Sequence, residues 1–169
     1  MTIGLGRLDA QFSKIEEEVC NSDFIKEAGM FVQSAAKINT PAFSGYLRNN
    51  IFVDYHEDEQ GKTAEVYTNV SYAPYVEFGT GPKGMADHDG TSPEITPVYT
   101  LDPWWIHESD VDITLAEMYH WSYINTPQGR FYKCYGQAAQ PFMYPALKDN
   151  EKEVLDIIKK GVNKAIKND

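Results

Sequence analysis

The chain has 169 residues, of which 42% are hydrophobic, and its formal net charge is −10. These values are typical of a globular domain with its own core, and the acidic balance argues against a nucleic-acid-binding surface. No stretch approaches the roughly 20 apolar residues of a bilayer span and no signal-peptide pattern opens the chain, so we expect a cytoplasmic protein without a membrane partner.

A broken pair of amphipathic helices is predicted at the N-terminal end. The first helix has apolar residues at every third or fourth position, on one stripe: Leu5, Leu8, Phe12, Ile15 and Val19. The periodicity breaks at Asn21-Ser22, both frequent N-cap residues, resumes at Ile25 and ends before Thr40-Pro41.

A β-hairpin is predicted next, followed by a short helix. β-Branched and aromatic residues fill 51–55 and 63–67, on either side of the polar turn Glu57 to Lys62. Within Ser71 to Pro82, three aromatic residues lie one helical turn apart, and two glycines and a proline then end the helix. The ordinary interpretation is a short buried helix that leads into a loop.

The segment from Gly79 to Pro103 is rich in Gly, Pro, Asp and Ser, which predicts a long loop. Short strands are predicted at 98–101, 104–107 and 130–135. No Lys or Arg lies between Lys83 and Arg130, whereas eight acidic residues do. Such a run is usually a solvated loop face.

The last element is a predicted C-terminal amphipathic helix. Pro145 fits its first turn, and apolar residues follow a helical period to the end of the chain: Leu147, Val154, Leu155, Ile158, Val162 and Ile166. We therefore predict one α+β domain over residues 1–169. It has N-terminal helices, an antiparallel β-sheet with a long acidic insertion at 80–138, and a C-terminal helix packed on the sheet.

Three motifs in order resemble a known family. They are TPAFSGYLRNNI from Thr40 to Ile51, YAPYVEFGT from Tyr72 to Thr80, and QPFMYPAL from Gln140 to Leu147. Together they are similar to the gene-ten-like tail-component family of lambdoid tailed phages, whose members resemble tail-completion or head-tail joining proteins. Here Ser44-Gly45-Tyr46 replaces the usual Thr-Gly before Leu-Arg, and the acidic, Trp-bearing insertion replaces a short connection.

The resemblance implies a non-enzymatic structural component of a siphophage virion, located in the tail or neck and assembled in the host cytoplasm. Its partners would be further copies in a ring, with six the first number to test, and other neck and tail proteins. Genome DNA would at most pass through the lumen without specific binding. The family resemblance does not assign the position in the neck.

The residues of interest are interface or structural candidates. Gly45 permits a tight turn into the first strand, and Arg48, early in that strand, can pair with Glu77. Large aromatic side chains are enriched both at interfaces and in cores, and prolines on either side of an aromatic fix the start of the last helix. The candidates are Arg48, Tyr72, Tyr75, Glu77, Phe78, Gly79, Trp104, Trp105, Trp121, Pro141 and Phe142.

The insertion admits several interpretations. It can line a DNA passage, where negative walls repel phosphate, contact a neighbouring ring protein, or simply be solvated. Its three tryptophans can be interface residues or a small core under a loop. In the alternative function, they are stacking platforms of a carbohydrate- or peptide-binding module, with nearby acids as hydroxyl acceptors.

No catalytic, cofactor or metal site is predicted. His88 and His107 stand among acidic residues, so a cation site or a metal-dependent hydrolase can be imagined, but neither a zinc-binding spacing nor a nucleophile or phosphate-loop motif is present. Cys20 and Cys134 lie far apart and predict buried free thiols.

Overall fold

The computed structural model describes residues 23–41, 45–58, 61–118 and 120–167, so the helix predicted over Leu5 to Val19 lies outside the described residues. The described chain forms two compact units. The terminal unit contains residues up to Val70 and from Phe142 onward, and the central unit is Ser71–Pro141. The predicted insertion, 80–138, lies within the central unit. The single domain remains a prediction, while the helices and antiparallel strands confirm the α+β class.

Helix α1 of the terminal unit, Phe24–Asn39, confirms the second predicted helix. Its buried face consists of the small residues Ala28, Gly29 and Ala36, which allow close packing. The helix ends where predicted because Thr40 satisfies the last turn, with both its amide and its hydroxyl donating to the carbonyl of Ala36.

The predicted hairpin is confirmed. Strands β1, Ile51–Asp58, and β2, Gly61–Thr68, pair antiparallel from Ile51 opposite Thr68 to Asp58 opposite Gly61. One expectation was wrong: Arg48 lies in a one-turn helix, α2, Tyr46–Asn49, and not in the first strand. The turn forms because Gly45, at φ 72°, accepts the amide of Asn49 through its carbonyl at 2.9 Å.

The C-terminal segment consists of two helices, α6, Tyr144–Lys148, and α7, Glu151–Lys167, where one was predicted. Asn150 separates them because its side-chain amide donates back to the carbonyl of Ala146, 3.0 Å away. Helix α7 packs chiefly against α1, and α1 packs against the hairpin. The predicted apolar stripe was wrong at Leu147, Leu155 and Ile166, which are exposed.

The central unit begins with two short helices and continues as a three-stranded antiparallel sheet in the order β3-β5-β4. The predicted strands at 104–107 and 130–135 are confirmed, but 98–101 contains no strand, and Gly81–Ala86, predicted as loop, is helical. Helix α5 and strand β4 were not predicted. The elements are α3 Ala73–Phe78, α4 Gly81–Ala86, β3 Trp104–His107, a 3-10 turn Glu108–Asp110, α5 Ile113–Met118, β4 Tyr123–Thr126 and β5 Gly129–Cys134.

Candidate interaction surfaces

The end of α3 is fixed by Gly79. Its φ of 74° and ψ of 179° lie in a region that only glycine adopts readily. A Cβ atom at this position would lie 2.7 Å from the amide nitrogen of Ala139, 2.8 Å from the carbonyl oxygen of Gln137 and 2.9 Å from the Cα atom of Gly84. The break predicted from the sequence is therefore confirmed, and the packing of three backbone segments requires it.

The segment that follows β5 forms hydrogen bonds with the residues around Gly79, where α3 ends. The amide of Thr80 donates to the carbonyl of Gln137 at 2.9 Å, and the amide of Gln137 donates back at 3.1 Å. The side-chain amide of Gln137 donates to the carbonyl oxygen of Tyr75 at 2.7 Å. The backbone amide of Gln140 donates to the carbonyl oxygen of Val76 at 2.8 Å. The second sequence motif and the first residue of the third are therefore neighbours in space.

Tyr72, just before α3, and Tyr75, within it, face outward, contrary to the predicted buried helix. Tyr72 is 40% exposed and Tyr75 59%, while Phe78 is half-buried. The buried positions are instead Ala73 and Glu77, which is 6% exposed. These two residues are four positions apart and therefore lie on the same helix face. The two tyrosines thus form an exposed patch, here called the α3 patch.

A second exposed cluster lies on the three-stranded sheet. Trp105 is 44% exposed, and the ammonium group of Lys133 lies 5.9 Å from its ring centre and 5.2 Å from that of Tyr135. These distances are within the range of cation–π contacts. The cluster was not predicted as such, although the alternation of basic and aromatic residues in RFYKCY, from Arg130 to Tyr135, is a signal that could have indicated it.

The three tryptophans do not share one platform. Trp104 and Trp105 are consecutive in β3 and therefore point to opposite faces of the sheet. Trp104 is half-buried, and a Cβ atom on Gly81 would lie 2.8 Å from its ring. Trp121 is also half-buried. Only Trp105 of the three is classed as exposed, so its ring is the one most available to a partner.

The remaining predicted residues are structural in their surroundings. Arg48 donates its Nε–H to the carbonyl of Lys37, 2.7 Å away, at the end of α1. Phe142 is 1% exposed and belongs to the core of the terminal unit, and Pro141 is half-buried. The pair of Arg48 with Glu77 joins residues of different units and remains a prediction.

The histidines of the predicted acidic loop take part in local turns. The Nδ1 atom of His88 lies 3.1 Å from the carbonyl oxygen of Met85, at the end of α4. The Nε2 atom of His107 lies 2.9 Å from the carbonyl oxygen of Gln128, and its Nδ1 atom 2.8 Å from the hydroxyl of Ser109. Within the described ranges, no group of three His, Cys, Asp or Glu residues is placed to hold a metal ion.

Comparison with known proteins gives one match. Residues 6–79 match the model of the family described as "Bacteriophage HK97-gp10, putative tail-component". This confirms the resemblance over a stretch that contains the first motif and all but the last residue of the second. The chain is therefore similar, over 74 of its 169 residues, to a family that is described as a component of bacteriophage tails.

No curated protein and no solved structure matches the chain. In the part of the chain that the structure describes, no helix is long and apolar enough to cross a membrane. The third motif, from Gln140 to Leu147, lies outside the matched residues.

Proposed function

We propose that the chain is a non-enzymatic tail-completion or head-tail joining protein of a siphophage, which assembles as a ring at the neck. The observation that supports this proposal is the α3 patch. Tyr72 and Tyr75 lie within the matched family segment and yet are exposed on a backbone that Gly79 and the segment around Gln137 hold in place. Tyrosine provides a large contact area at a small conformational-entropy cost.

A ring requires two different, complementary surfaces on each subunit, because identical copies must contact one another head to tail. The α3 patch supplies one apolar surface. The cluster of Trp105, Lys133 and Tyr135 supplies another, in which one cation lies within cation–π distance of two aromatic rings. Both lie in the central unit, and we infer that they contact different neighbours in the ring.

The charge of the central unit is compatible with a DNA passage. From Lys83 to Arg130 the chain has eight acidic residues and no intervening Lys or Arg. Such a surface repels phosphate, so a genome can move past it without adhering. We propose that this segment faces the lumen and makes no specific contact with DNA.

The experiment is negative-stain imaging and light scattering of the purified protein, alone and with tail-tube or connector protein. We expect rings, or density at the head-tail joint, for the wild type and a loss of assembly for Tyr72→Ser with Tyr75→Ser. Tyr46→Ser is the matched control, because Tyr46 is also 59% exposed but lies in the terminal unit. Assembly that is unchanged in the double variant, or wild-type protein that stays monomeric with both partners, would contradict the proposal.

One observation favours the second candidate, a carbohydrate- or peptide-binding module. Trp105 and Tyr135 are both exposed, and their ring centres lie 5.9 Å and 5.2 Å from the Lys133 ammonium group. Exposed aromatic rings are suitable for stacking on a sugar ring. Tryptophan fluorescence tests this function. Quenching by a polysaccharide that is lost in Trp105→Leu and kept in Trp121→Leu would support it, whereas no spectral change with any polysaccharide or peptide would exclude it.

A further inference from the structure

A reactive dipeptide, Asp89-Gly90, lies in the loop after α4. It is the one place in the 169 residues where an aspartate or asparagine precedes a glycine. Both residues are exposed and lie in a tight turn, in which the amide of Thr91 donates to the carbonyl of His88 at 3.4 Å and the Thr91 hydroxyl donates to the same carbonyl at 2.9 Å. The dipeptide is therefore open to water and lies outside the helices and strands.

Two groups of this dipeptide are free to react with each other, the backbone amide of Gly90 and the side-chain carboxyl of Asp89. In the part of the chain that the structure describes, neither group has a hydrogen-bond or ion-pair partner. An amide in a helix or a sheet must give up its hydrogen bond before it can react, whereas the amide of Gly90 has none to lose.

Glycine is also the residue that hinders this reaction least. Gly90 has no Cβ atom, so no side chain shields its nitrogen from the carboxyl group of Asp89. Its φ of 78° lies in the left-handed region, and glycine passes between this region and negative φ values at little cost. The backbone can therefore rotate until the amide nitrogen meets the carboxyl carbon.

We propose that Asp89 isomerises spontaneously to isoaspartate through a cyclic imide. The nitrogen of Gly90 bonds to the Cγ atom of the protonated Asp89 carboxyl, and the amide hydrogen and the carboxyl hydroxyl leave together as water. A second water then opens the ring. Attack at the Cγ carbonyl restores aspartate, whereas attack at the backbone carbonyl gives isoaspartate, whose peptide bond runs through the former side chain. One water is released and one is consumed, so no other reactant is needed.

The isomer lengthens the main chain of the turn by one methylene group, and the turn is attached to the segment that follows β5. The carbonyl of Asp87 accepts the amide of Ala139 at 2.9 Å, and a Cβ atom on Gly90 would lie 3.3 Å from the Cγ atom of Pro141. An additional main-chain atom shifts these contacts, so isomerisation destabilises the central unit. This inference is independent of the proposed ring function.

Peptide mapping tests the proposal. The full-length, folded protein is incubated at mildly acidic pH in water enriched in a heavy oxygen isotope, so each opening of the ring leaves a heavy oxygen atom on the residue. We expect labelled isoaspartate at Asp89, identified by electron-transfer fragmentation of its peptide. Asp110 is the internal control, because it is also exposed but precedes Val111, whose β-branched side chain shields the amide.

Two variants give opposite results if the imide forms. Asp89→Glu should lose the label, because its longer side chain would have to close a larger ring, which forms far more slowly. Asp89→Asn should react faster than the wild type, because its neutral amide releases ammonia. Both variants should fold, since Asp89 is exposed and has no partner among the described residues. No label at Asp89 in the folded wild type, or equal labelling at Asp89 and Asp110, would overturn the proposal.

Urea unfolding followed by tryptophan fluorescence tests the structural consequence. Incubated wild-type protein should unfold at a lower urea concentration than fresh protein, in proportion to its isoaspartate content, whereas incubated Asp89→Glu should keep its midpoint. An unchanged midpoint in extensively isomerised wild type would overturn the inferred effect on the central unit.

Discussion

Individual residues fix the geometry around the α3 patch. Gly79 allows three backbone segments to meet, and Tyr99 closes the same region, since its hydroxyl donates to the carbonyl of Phe78 at 2.7 Å. Burial of this phenol raises the pKa of Tyr99 above its ordinary value of 10.0. The patch is therefore held by backbone packing and by a hydrogen bond that depends on the protonated phenol.

Replacement of Gly79 by alanine should destabilise the central unit strongly. The added Cβ atom meets backbone atoms that cannot move aside, and φ is unfavourable, so we expect a loss of about 3 kcal/mol or more in the free energy of unfolding. Urea unfolding followed by tryptophan fluorescence measures it, since all three tryptophans lie in this unit.

Gly90→Ala is the matched control for Gly79→Ala. Gly90 also has a positive φ, 78°, but its nearest neighbour would be a proline Cγ atom at 3.3 Å. A cost of about 1–2 kcal/mol is expected there from the backbone conformation. Equal losses in the two variants would show that the close approach at Gly79 has no energetic role.

Tyr99→Phe should remove the hydrogen bond to Phe78 and cost about 1 kcal/mol at pH 8. Because folding raises the pKa of Tyr99, its contribution is complete below the unfolded pKa of 10.0 and is lost as pH rises through the folded pKa. The difference in unfolding free energy between wild type and variant, measured in urea from pH 8 to 11, should therefore shrink above about pH 10. A difference that stays constant would contradict this linkage.

At the scale of the elements, the terminal unit depends on how closely α1 approaches the hairpin. A Cβ atom on Gly29 would lie 2.7 Å from the Cβ atom of Ala64 and 3.0 Å from the Cγ2 atom of Val53. The helix therefore uses a glycine in its interior, in spite of the cost in helix propensity, because only glycine permits this contact.

Gly29→Ala should therefore destabilise the terminal unit, although alanine is the better helix former by about 1 kcal/mol. Overpacking costs about 1–3 kcal/mol, so the net loss should be about 1–2 kcal/mol. Adding Ala64→Gly to Gly29→Ala restores the space. Circular dichroism in urea on the two single variants and the double variant gives the coupling free energy, which should favour the pair. Purely additive effects would show that the two residues are not in contact.

For the whole molecule, charge is the property that bears most directly on assembly. Each copy of the chain has a formal net charge of −10, so copies repel one another at long range, while in the proposed assembly the α3 patch and the cluster around Trp105 would provide short-range attraction. At 0.1 M salt the repulsion between exposed charges is largely screened beyond a Debye length of about 10 Å. Apolar contacts are not weakened by this screening.

Self-association should therefore increase with ionic strength. Sedimentation velocity at low and at about 0.5 M sodium chloride should show a larger oligomer fraction at the higher concentration, because the Debye length falls below about 5 Å. Sodium sulfate at matched ionic strength is the control for specific ion effects. An oligomer fraction that decreases with salt would indicate an interface held by ion pairs.

The sequence alone determined several of the local elements and the family resemblance. Helix α1, both hairpin strands and the end of α3 follow from apolar period, turn residues and glycine placement, which are properties of neighbouring residues. The motifs from Thr40 and from Tyr72 indicated the tail-component family for the same reason, since their residue types and spacing can be read without the fold.

Only the tertiary structure decided which side chains are available to a partner. Tyr75 is exposed because Ala73 and Glu77 occupy the buried face of a helix held by Gln137, which lies 62 residues further along the chain. The cluster of Trp105 and Lys133 also depends on contacts between distant segments, because the pairing of β3 with β5 brings these two residues together. Exposure depends on contacts between distant segments, and a periodic pattern within one segment does not contain that information.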